Sequence, residues 1–239
     1  MTQGIHQLTA SMVNQLNRVD VVSNNLANAN TYGFKEDNLA EGTFNRYVKE
    51  QLKKDEVVLK ESKIMDTIPK IDGNYKSMVV GPILITDNNL DFAIEEKDMF
   101  FKVRNDQGDI EYTRDGSFKQ RGDNLITQNG YEVLDDNNNP IDLTNPNFAN
   151  TIALVQTDFT NLDKVGNNNF KAKADENIAL VAGAENFMTQ GAIEQSNVNT
   201  IRTMVGLIEA QRKFEQSQKA ITGIDEINSK VIDSIGNGR

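Results

Sequence analysis

Four acidic side chains lie close together beside an apolar segment, and paired carboxylates are the groups that cleave glycosidic bonds. Asp91, Glu95, Glu96 and Asp98 flank the short run that begins at Phe92. One carboxyl group of such a pair acts as the general acid, and the other acts as base or nucleophile. Acidic residues beside an apolar strand are more commonly its solvated edge. We therefore expect these four residues to have no catalytic role.

A second run has the residue types of a calcium-binding loop. It consists of Asp135, Asp136 and the three asparagines at 137–139. The EF-hand pattern requires glycine at its sixth position and a bidentate glutamate at its twelfth. Pro140 and Pro146 stand at those positions. The run is therefore predicted to be a turn, and no metal site is expected.

Nucleophilic and phosphate-binding chemistry has little support in the sequence. The single histidine, His6, stands near the start of the chain with no acid or nucleophile fixed beside it. The chain has no G-x-S-x-G elbow, no H-E-x-x-H pair and no G-x-x-x-x-G-K-[ST] loop. A serine nucleophile needs a base, and no serine is paired with one. We expect no catalytic residue, no cofactor and no small-molecule substrate.

Composition excludes several classes of partner. The 239 residues carry a formal net charge of −10, which argues against binding to a nucleic-acid backbone. Cysteine is absent, so disulfides and thiolate metal sites are excluded. No apolar run approaches the roughly 20 residues that span a bilayer. The first residues also lack the features of a Sec-type signal peptide. We therefore expect no membrane insertion, and we expect that export would require a dedicated machine.

Apolar residues near the N-terminus recur at heptad spacing, which indicates a helix with one apolar seam. The seam consists of Ile5, Leu8, Met12, Val19, Val22 and Leu26. Only Gln15 interrupts it. The pattern predicts a helix from about residue 3 to residue 28, which ends at the turn-forming residues 28–33.

The C-terminal segment has the same kind of pattern. Its main seam contains Leu207, Ala210, Phe214, Ile221, Ile224, Val231 and Ile235. A second stripe of Ile201, Val205 and Ile208 lies beside it. We expect a helix that starts after Ser196 and Asn197 and ends before Gly236. Two long terminal helices favour antiparallel pairing as a coiled-coil stalk.

Between the helices, short β-type runs alternate with glycine and asparagine turns at about eight-residue spacing, which is typical of antiparallel sheets. The predicted strands include segments 78–80, 83–85, 100–103, 110–113 and 151–155. The predicted fold class is α+β, with a mostly antiparallel β domain inserted between paired helices. The expected division is an N-terminal axial helix and junction over 1–35, a linker over 36–62, a β-rich domain over 63–188 and a C-terminal axial helix over 189–239.

Asparagine-rich junctions stand where each terminal helix meets the middle. One is segment 23–35, Ser-Asn-Asn-Leu-Ala-Asn-Ala-Asn-Thr-Tyr-Gly-Phe-Lys, and the other is segment 189–199, Thr-Gln-Gly-Ala-Ile-Glu-Gln-Ser-Asn-Val-Asn. Asparagine side chains satisfy backbone groups at helix ends. We expect them to act either as ordinary helix caps or against another subunit.

These junctions resemble those of the flagellar rod and hook protein family. Segment 24–35 is similar to the family's N-N-L-A-N-x-N/S-T-x-G-F-K/R signature, and segment 191–199 is similar to G-x-[LV]-E-x-S-N-V-[NK]. Segments 210–215 and 219–221 resemble A-Q-R-x-[FY]-E and K-[AV]-I. The middle contributes segments 90–94, Leu-Asp-Phe-Ala-Ile, and 112–118, Tyr-Thr-Arg-Asp-Gly-Ser-Phe. The elements occur in the family's order along nearly the whole chain.

The resemblance implies a structural, non-enzymatic subunit of the bacterial flagellar rod, located in the periplasmic part of the basal body. It implies passage through the flagellar type III export apparatus and helical assembly with copies of itself and other rod proteins. The residues expected to pack between subunits are Ile5, Leu8, Met12, Val19, Val22, Asn24, Asn25, Leu26, Ala27, Asn28, Gly33, Phe34, Ser196, Asn197, Val198, Asn199, Leu207, Phe214, Ile221, Ile224 and Val231.

The axial position in the rod is left open between two alternatives. Distal-rod members of the family carry E-G-x-G-F-F after the L-D-x-A-I element, whereas this chain has Glu95-Glu96-Lys97-Asp98-Met99-Phe100. Its segment between the first signature and the β domain also leaves little room for the extended arm that is expected of distal-rod and hook subunits. Both departures favour the proximal rod over the distal rod. An alternative of another class is a flagellar enzyme that cleaves the cell wall, with Glu95 and Asp98 as acid and base.

Overall fold

The computed structural model describes residues 2–43, 69–173 and 178–236. Within them the chain divides into two compact units. The helical unit takes the described parts of Met1–Leu26, Asp37–Tyr75 and Asn199–Arg239. The β unit takes Ala27–Glu36 and Lys76–Val198. The division expected at residues 35, 62 and 188 stays a prediction.

Two long helices dominate the helical unit, as their heptad patterns predict. Helix α1 spans Thr2–Ala27 and helix α2 spans Thr200–Gly236. Asn199 caps α2, because its side-chain oxygen accepts a hydrogen bond from the Arg202 N–H at 3.0 Å. The cap therefore lies two residues beyond the expected position at Asn197. Neither helix, over the part described, is long and apolar enough to cross a membrane. Coiled-coil pairing of the helices stays a prediction.

Fifteen strands complete the described parts of the chain. They are β1 Asp37–Thr43, β2 Pro69–Lys76, β3 Ile83–Ile85, β4 Phe92–Ile94, β5 Met99–Arg104, β6 Ile110–Thr113, β7 Lys119–Arg121, β8 Asn124–Ile126, β9 Glu132–Val133, β10 Leu154–Gln156, β11 Leu162–Gly166, β12 Asn169–Ala172, β13 Ala179–Leu180, β14 Met188–Gln190 and β15 Ala192–Glu194. Short 3-10 helices occupy Phe148–Thr151, Phe159–Asn161 and Ala184–Phe187. The α+β class with mostly antiparallel sheets is confirmed.

Strand β5 is the centre of the largest sheet. It pairs antiparallel with β6 along one edge, and with β10 and then β9 along the other. The order β11-β12-β6-β5-β9-β8-β7 continues outward from it, and β13 extends the branch through β10. Because every neighbour is antiparallel, tight hairpins suffice to connect most of these strands.

Alternate side chains of β5 enter two apolar clusters, because successive residues of a strand point to opposite faces. Phe101 and Val103 pack with residues that include Phe118, and the rings of Phe101 and Phe118 are 5.1 Å apart. Phe100 packs on the other face with Phe170 and a ring contact to Phe159 at 4.9 Å. This two-sided burial explains why the strand is an almost continuous apolar run.

The remaining described strands form two-stranded sheets. Strand β14 pairs with β4, β15 pairs with β3, and β1 pairs with β2. A close backbone approach holds β4, because the Phe92 N–H donates to the Gly116 carbonyl at 3.0 Å. A Cβ atom at Gly116 would lie 1.8 Å from the Phe92 carbonyl oxygen, so only glycine fits there.

Three predicted strands in the middle of the chain are present, the one predicted at 151–155 is displaced to β10 at Leu154–Gln156, and one is absent. Segment 78–80 is irregular, whereas β3, β5 and β6 lie where the pattern predicts them. The carbonyl of Val79 accepts hydrogen bonds from the side chains of Lys35 and Asn197 instead of pairing in a ladder. Strand β1 occupies the start of the expected linker, whose residues 44–62 lie outside the described part of the chain.

The turn between β4 and β5 is strained at Asp98. Its φ angle is +62°, in the left-handed region that favours glycine. Its Oδ1 atom is buried without a hydrogen-bond partner. We expect Asp98→Gly to stabilise the β unit by about 1 kcal/mol, because relief of both penalties exceeds the entropy that glycine adds to the unfolded chain and the loss of a minor attraction to the Lys35 ammonium. Urea denaturation monitored by circular dichroism measures the change.

Asp98→Ala is the matched control, since it removes the carboxylate but keeps a Cβ atom in the left-handed conformation. We expect it to be less stable than Asp98→Gly by about 1 kcal/mol. Equal midpoints for the two variants would mean that the backbone at this turn is not strained.

Candidate subunit-packing site

A buried carboxylate connects the two junctions. Glu194 is the last residue of β15, and its side chain is 1% exposed. Its Oε1 atom accepts from the Lys35 Nζ at 2.6 Å and from the Gly81 N–H at 2.8 Å. Its Oε2 atom accepts from Arg114 Nε at 2.8 Å and Nη2 at 2.7 Å. Strand pairing with β3 fixes this position, because Glu194 lies opposite Ile83. We call Lys35, Arg114 and Glu194 the ion cluster.

Arg114 extends the ion cluster to the turn between β4 and β5. Its Nη1 atom donates to the carbonyls of Glu96 at 2.7 Å and Met99 at 2.8 Å. Its Nη2 atom also donates to the Ile94 carbonyl at 3.2 Å. The five N–H groups of the guanidinium thus all have acceptors, as a fully buried arginine requires. The planar guanidinium therefore binds three backbone carbonyls in and beside this turn and one carboxylate.

Lys35 closes the ion cluster on the N-terminal side. Its Nζ atom donates to the Val79 carbonyl at 2.8 Å as well as to Glu194. Burial lowers the pKa of Lys35 below its ordinary value of 10.5, and the charge of Glu194 opposes that lowering. Arg114 repels the ammonium and so lowers the pKa of Lys35 further. Glu194 is therefore the group that makes burial of two cations tolerable.

Two asparagines of the junctions bind backbone groups of their own chain. The Asn197 Oδ1 atom accepts from the Glu36 N–H at 2.7 Å, and its Nδ2 atom donates to the Val79 carbonyl at 2.9 Å. Within the helical unit, buried Asn25 forms a matching pair of bonds with Asp37, to the N–H at 2.9 Å and to the carbonyl at 2.7 Å. These amides replace missing ladder partners and fix where the chain leaves α1 and where it leaves β15.

Gly33 and Phe34 place the entering chain against the leaving chain. The Gly33 N–H donates to the Glu194 carbonyl at 2.8 Å, and the Asn197 N–H donates to the Phe34 carbonyl at 3.4 Å. Gly33 has a φ angle of +64°, and a Cβ atom there would lie 2.4 Å from the Arg114 carbonyl carbon. Phe34 is buried beneath the Lys164 Nζ atom, which lies 5.2 Å from the ring centroid. The chain therefore enters and leaves the β unit side by side.

The other predicted packing residues lie on the helices or near the junctions. On α1 the half-buried members are Leu8, Met12, Val19, Val22 and Leu26. On α2 the half-buried members are Leu207, Phe214, Ile221 and Ile224, while Val231 is exposed. At the junctions Asn24 and Ala27 are exposed, Asn28 is half-buried, Ser196 and Val198 are buried, and Asn199 caps α2. Ile5 lies in α1, but its side chain is not among those that the structure describes.

Sequence reasoning missed the ion cluster itself. Lys35, Arg114 and Glu194 are separated by 79 or more positions, so no local pattern connects them. A usable signal existed, because each stands within a segment that carries the family resemblance. Each is also flanked there by residues that become buried. A charged residue inside a buried segment needs a partner of opposite charge.

Two of the acidic residues considered for catalysis accept hydrogen bonds from threonine hydroxyls. Exposed Glu95 accepts a hydrogen bond from the Thr189 hydroxyl, and Asp91 accepts one from Thr86 at 2.7 Å. Asp135 accepts from the Asn139 N–H at 2.7 Å and so forms the turn that the sequence predicts. Among the residues that the structure describes, no cluster of histidine, aspartate and glutamate could hold a metal ion.

Comparison with protein families matches three parts of the chain. Residues 189–234 match a family described as flagellar basal body rod FlgEFG protein C-terminal. Residues 93–157 match the flagellar hook protein FlgE/F/G D1 domain, and residues 10–35 match a family described as flagella basal body rod protein. The first and third matches contain the two junctions, and the second contains Arg114.

Curated relatives extend along the full chain. The flagellar basal-body rod protein FlgG of Borreliella burgdorferi is 30% identical over 95% of this chain and 96% of its own length. The flagellar basal-body rod protein FlgF of Caulobacter vibrioides is 30% identical over 91% of each chain. The flagellar hook-basal body complex protein FlhO of Bacillus subtilis is 25% identical over 99% of each.

The ion cluster generates a prediction for Glu194. We expect Glu194→Gln to lower the free energy of unfolding of the β unit by about 3–5 kcal/mol, because it removes the carboxylate that binds both buried cations and leaves Lys35 only its weaker attraction to Asp98. Urea denaturation near neutral pH, monitored by circular dichroism, measures the loss.

Glu132→Gln is the matched control. Glu132 pairs with Arg104 at 3.1 Å, and both side chains are 31% exposed. The same substitution there is expected to cost less than about 1 kcal/mol, because solvent screens the pair. A Glu194→Gln loss no larger than that of the control would show that the ion cluster does not stabilise the fold.

Proposed function

Because the chain belongs to the family of flagellar basal-body rod proteins, we propose that it is a structural subunit of the bacterial flagellar rod. In this proposal the flagellar type III system exports it, and it assembles helically into the axle that connects the motor to the hook. The observation that carries the proposal is the family match at both junctions and the β unit, in chain order. The chain is accordingly a protein of the flagellar basal body, and its proposed partners are copies of itself, other rod proteins and the export apparatus.

The geometry of the junctions supports this role. The chain enters and leaves the β unit side by side, at the Gly33 to Glu194 hydrogen bond of 2.8 Å. A β unit whose chain enters and leaves at neighbouring positions is suited to insertion between two chain ends that form a stalk. We propose that α1 and α2 pair as a coiled coil through their half-buried seams. The boundaries at 35, 62 and 188 belong to this proposal.

The helices carry apolar surface beyond these seams. Ile201 is 78% exposed, and Met204, Val205 and Ile208 continue the same stripe of α2. Val13 and Leu16 are exposed on α1. A stripe at i, i+3, i+4 and i+7 spacing is the pattern of a helix face that packs against another helix. We propose that neighbouring subunits cover these faces in the rod.

We further propose that the subunit has no enzymatic activity. Of the two acidic residues that a cell-wall hydrolase would use, Glu95 is bonded to Thr189 and Asp98 lies in a strained turn. We attribute the buried Asp98 oxygen that has no hydrogen-bond partner to the conformation of that turn.

The turn between β4 and β5 also bears on the axial position of the subunit in the rod. Glu96 and Asp98 stand where the family's distal-rod pattern has glycines, and Asp98 still adopts a left-handed φ angle of +62°. The backbone conformation that suits glycine is thus retained with another residue in place. We propose the proximal rod on this departure and on the short segment that precedes the β unit.

Fractionation tests the proposed function directly. Hook-basal bodies purified from cells that express the chain should contain it as a stoichiometric component, identified by its peptides. A high-resolution image would then give its axial position. Absence of the chain from intact, purified basal bodies would overturn the proposal.

The α2 seam gives a quantitative prediction. We expect Ile221→Ala combined with Ile224→Ala to abolish motility and rod completion. Each half-buried isoleucine is expected to contribute about 1–2 kcal/mol per subunit, and the loss recurs at every position of the array. The thermal transition of the β unit should not move, because both residues lie in the helical unit.

The matched control is Lys219→Ala combined with Glu226→Ala, two exposed positions on the same helix. Alanine favours helix at all four sites, so the comparison isolates the apolar seam. Motility assays and detection of the variants in basal bodies are the measurements. A seam variant that assembles and swims like the parent would contradict the packing role.

A further inference from the structure

Lys102 is a buried cation in the central strand of the β unit, and it is only 7% exposed. Within residues 2–43, 69–173 and 178–236 its ammonium forms no hydrogen bond or ion pair. The Nζ atom is not one of the described side-chain atoms that are fully buried without a hydrogen-bond partner, so the small exposed fraction includes the charged end. Buried Lys35, in contrast, has Glu194 as its counter-charge. Because burial of a cation is costly without a partner, Lys102 lacks the acceptor that its position requires.

A phenol hydroxyl points to the same face of the sheet as this ammonium. Tyr112 of β6 lies directly opposite Lys102 of β5, and the Cβ atoms of such a pair are about 5 Å apart. Tyr112 is half-buried, and its hydroxyl forms no hydrogen bond within the described part of the chain. Burial raises the pKa of Tyr112 above its ordinary value of 10.0, so the hydroxyl keeps its proton and can donate. Two donors on neighbouring strands therefore share one face without an acceptor.

Other cations lie on this face of the sheet. Phe170 of β12 is the next residue across the sheet, with Lys164 of β11 opposite it, and the Lys76 Nζ atom lies 5.6 Å from the Phe170 ring centroid. Arg104 is two residues further along β5 and so shares the face, but it is already paired with Glu132 at 3.1 Å. Positive charge concentrated on one face attracts anions, even on a chain with a net charge of −10.

We propose that Lys102 and Tyr112 form a binding site for a carboxylate group. One carboxylate oxygen accepts a hydrogen bond from the Lys102 ammonium, and the other accepts one from the Tyr112 hydroxyl. The single negative charge of the ligand matches the single unpaired ammonium. A phosphate group fits less well, because two donors do not satisfy its nearly two charges and three acceptor oxygens. The carboxylate comes either from a free small acid or from a protein side chain, and this inference does not depend on the proposed function.

Titration of the full purified chain with sodium acetate tests the proposal. Acetate replaces chloride at constant ionic strength, so that screening of surface charges does not change. The amide chemical shifts of residues 102 and 112, measured by NMR, should change saturably. A second titration uses N-acetylglutamate amide, which presents the same carboxylate on a peptide-like side chain. Tighter binding of this compound than of acetate indicates a protein side chain as the source, and the reverse indicates a free small acid.

Two variants separate the contributions of the two donors. We expect Lys102→Met to weaken acetate binding at least about tenfold, because hydrogen bonds to charged groups are the stronger ones. Tyr112→Phe removes only the hydroxyl and should weaken binding about three- to tenfold. Lys171→Met is the matched control, because Lys171 lies on the opposite face of β12 and is paired with Asp109 at 2.9 Å. The control should bind acetate like the parent.

Urea denaturation gives an independent readout. Lys102→Met should unfold at a higher urea concentration than the parent, since it removes a buried charge that has no partner. Acetate should raise the midpoint of the parent and leave that of Lys102→Met unchanged. Shifts that do not saturate in the parent, parent-like binding by both variants, or tighter binding of inorganic phosphate than of acetate would refute the carboxylate site. If Lys102→Met does not fold, parent-like binding by Tyr112→Phe is sufficient to refute it.

Discussion

The Glu194 carboxylate is the constraint around which the β unit is arranged. It lies between two buried cations, and its four hydrogen bonds reach the entering chain, the segment before β3 and the loop after β6. Charges at such depth are tolerated only when their partners are fixed. Three separate backbone segments must therefore meet in one geometry, and the turn between β4 and β5 follows because Arg114 binds its carbonyls.

The two units distribute their apolar residues differently. In the β unit the side chains of β5 are buried on both faces, and aromatic contacts such as Phe100 with Phe159 complete the packing. In the helical unit the seams are only half-buried, and residues such as Ile201 remain in solvent. One unit has the core of an independent fold. The other has surface of the kind that subunits cover when they assemble.

Local sequence patterns predicted the helices and several of the strands. Contacts between residues distant in the sequence determined the features that these patterns missed. The heptads of α1 and α2 gave both helices within one or two residues at each end, because helical periodicity is a local property. Segment 78–80 has β-type residues, yet the Val79 carbonyl is bonded to Lys35 and Asn197 and the segment is irregular. Asn25 and Asn197 have the backbone-binding role that their residue type suggests, and the acceptors and donors lie within the chain. The ion cluster depends on contacts across as many as 159 positions, which no spacing rule detects.

The length of that closure has a kinetic consequence. Lys35 and Glu194 are 159 positions apart, so a ribosome has made most of the chain before the carboxylate exists. Until then the ammonium of Lys35 and the guanidinium of Arg114 lack the one carboxylate that binds them both, and water solvates their charges. Contacts of this separation also form slowly, because loop closure costs entropy before any bond is made. Thus the nascent chain cannot complete the buried ion cluster until residue 194 has been made.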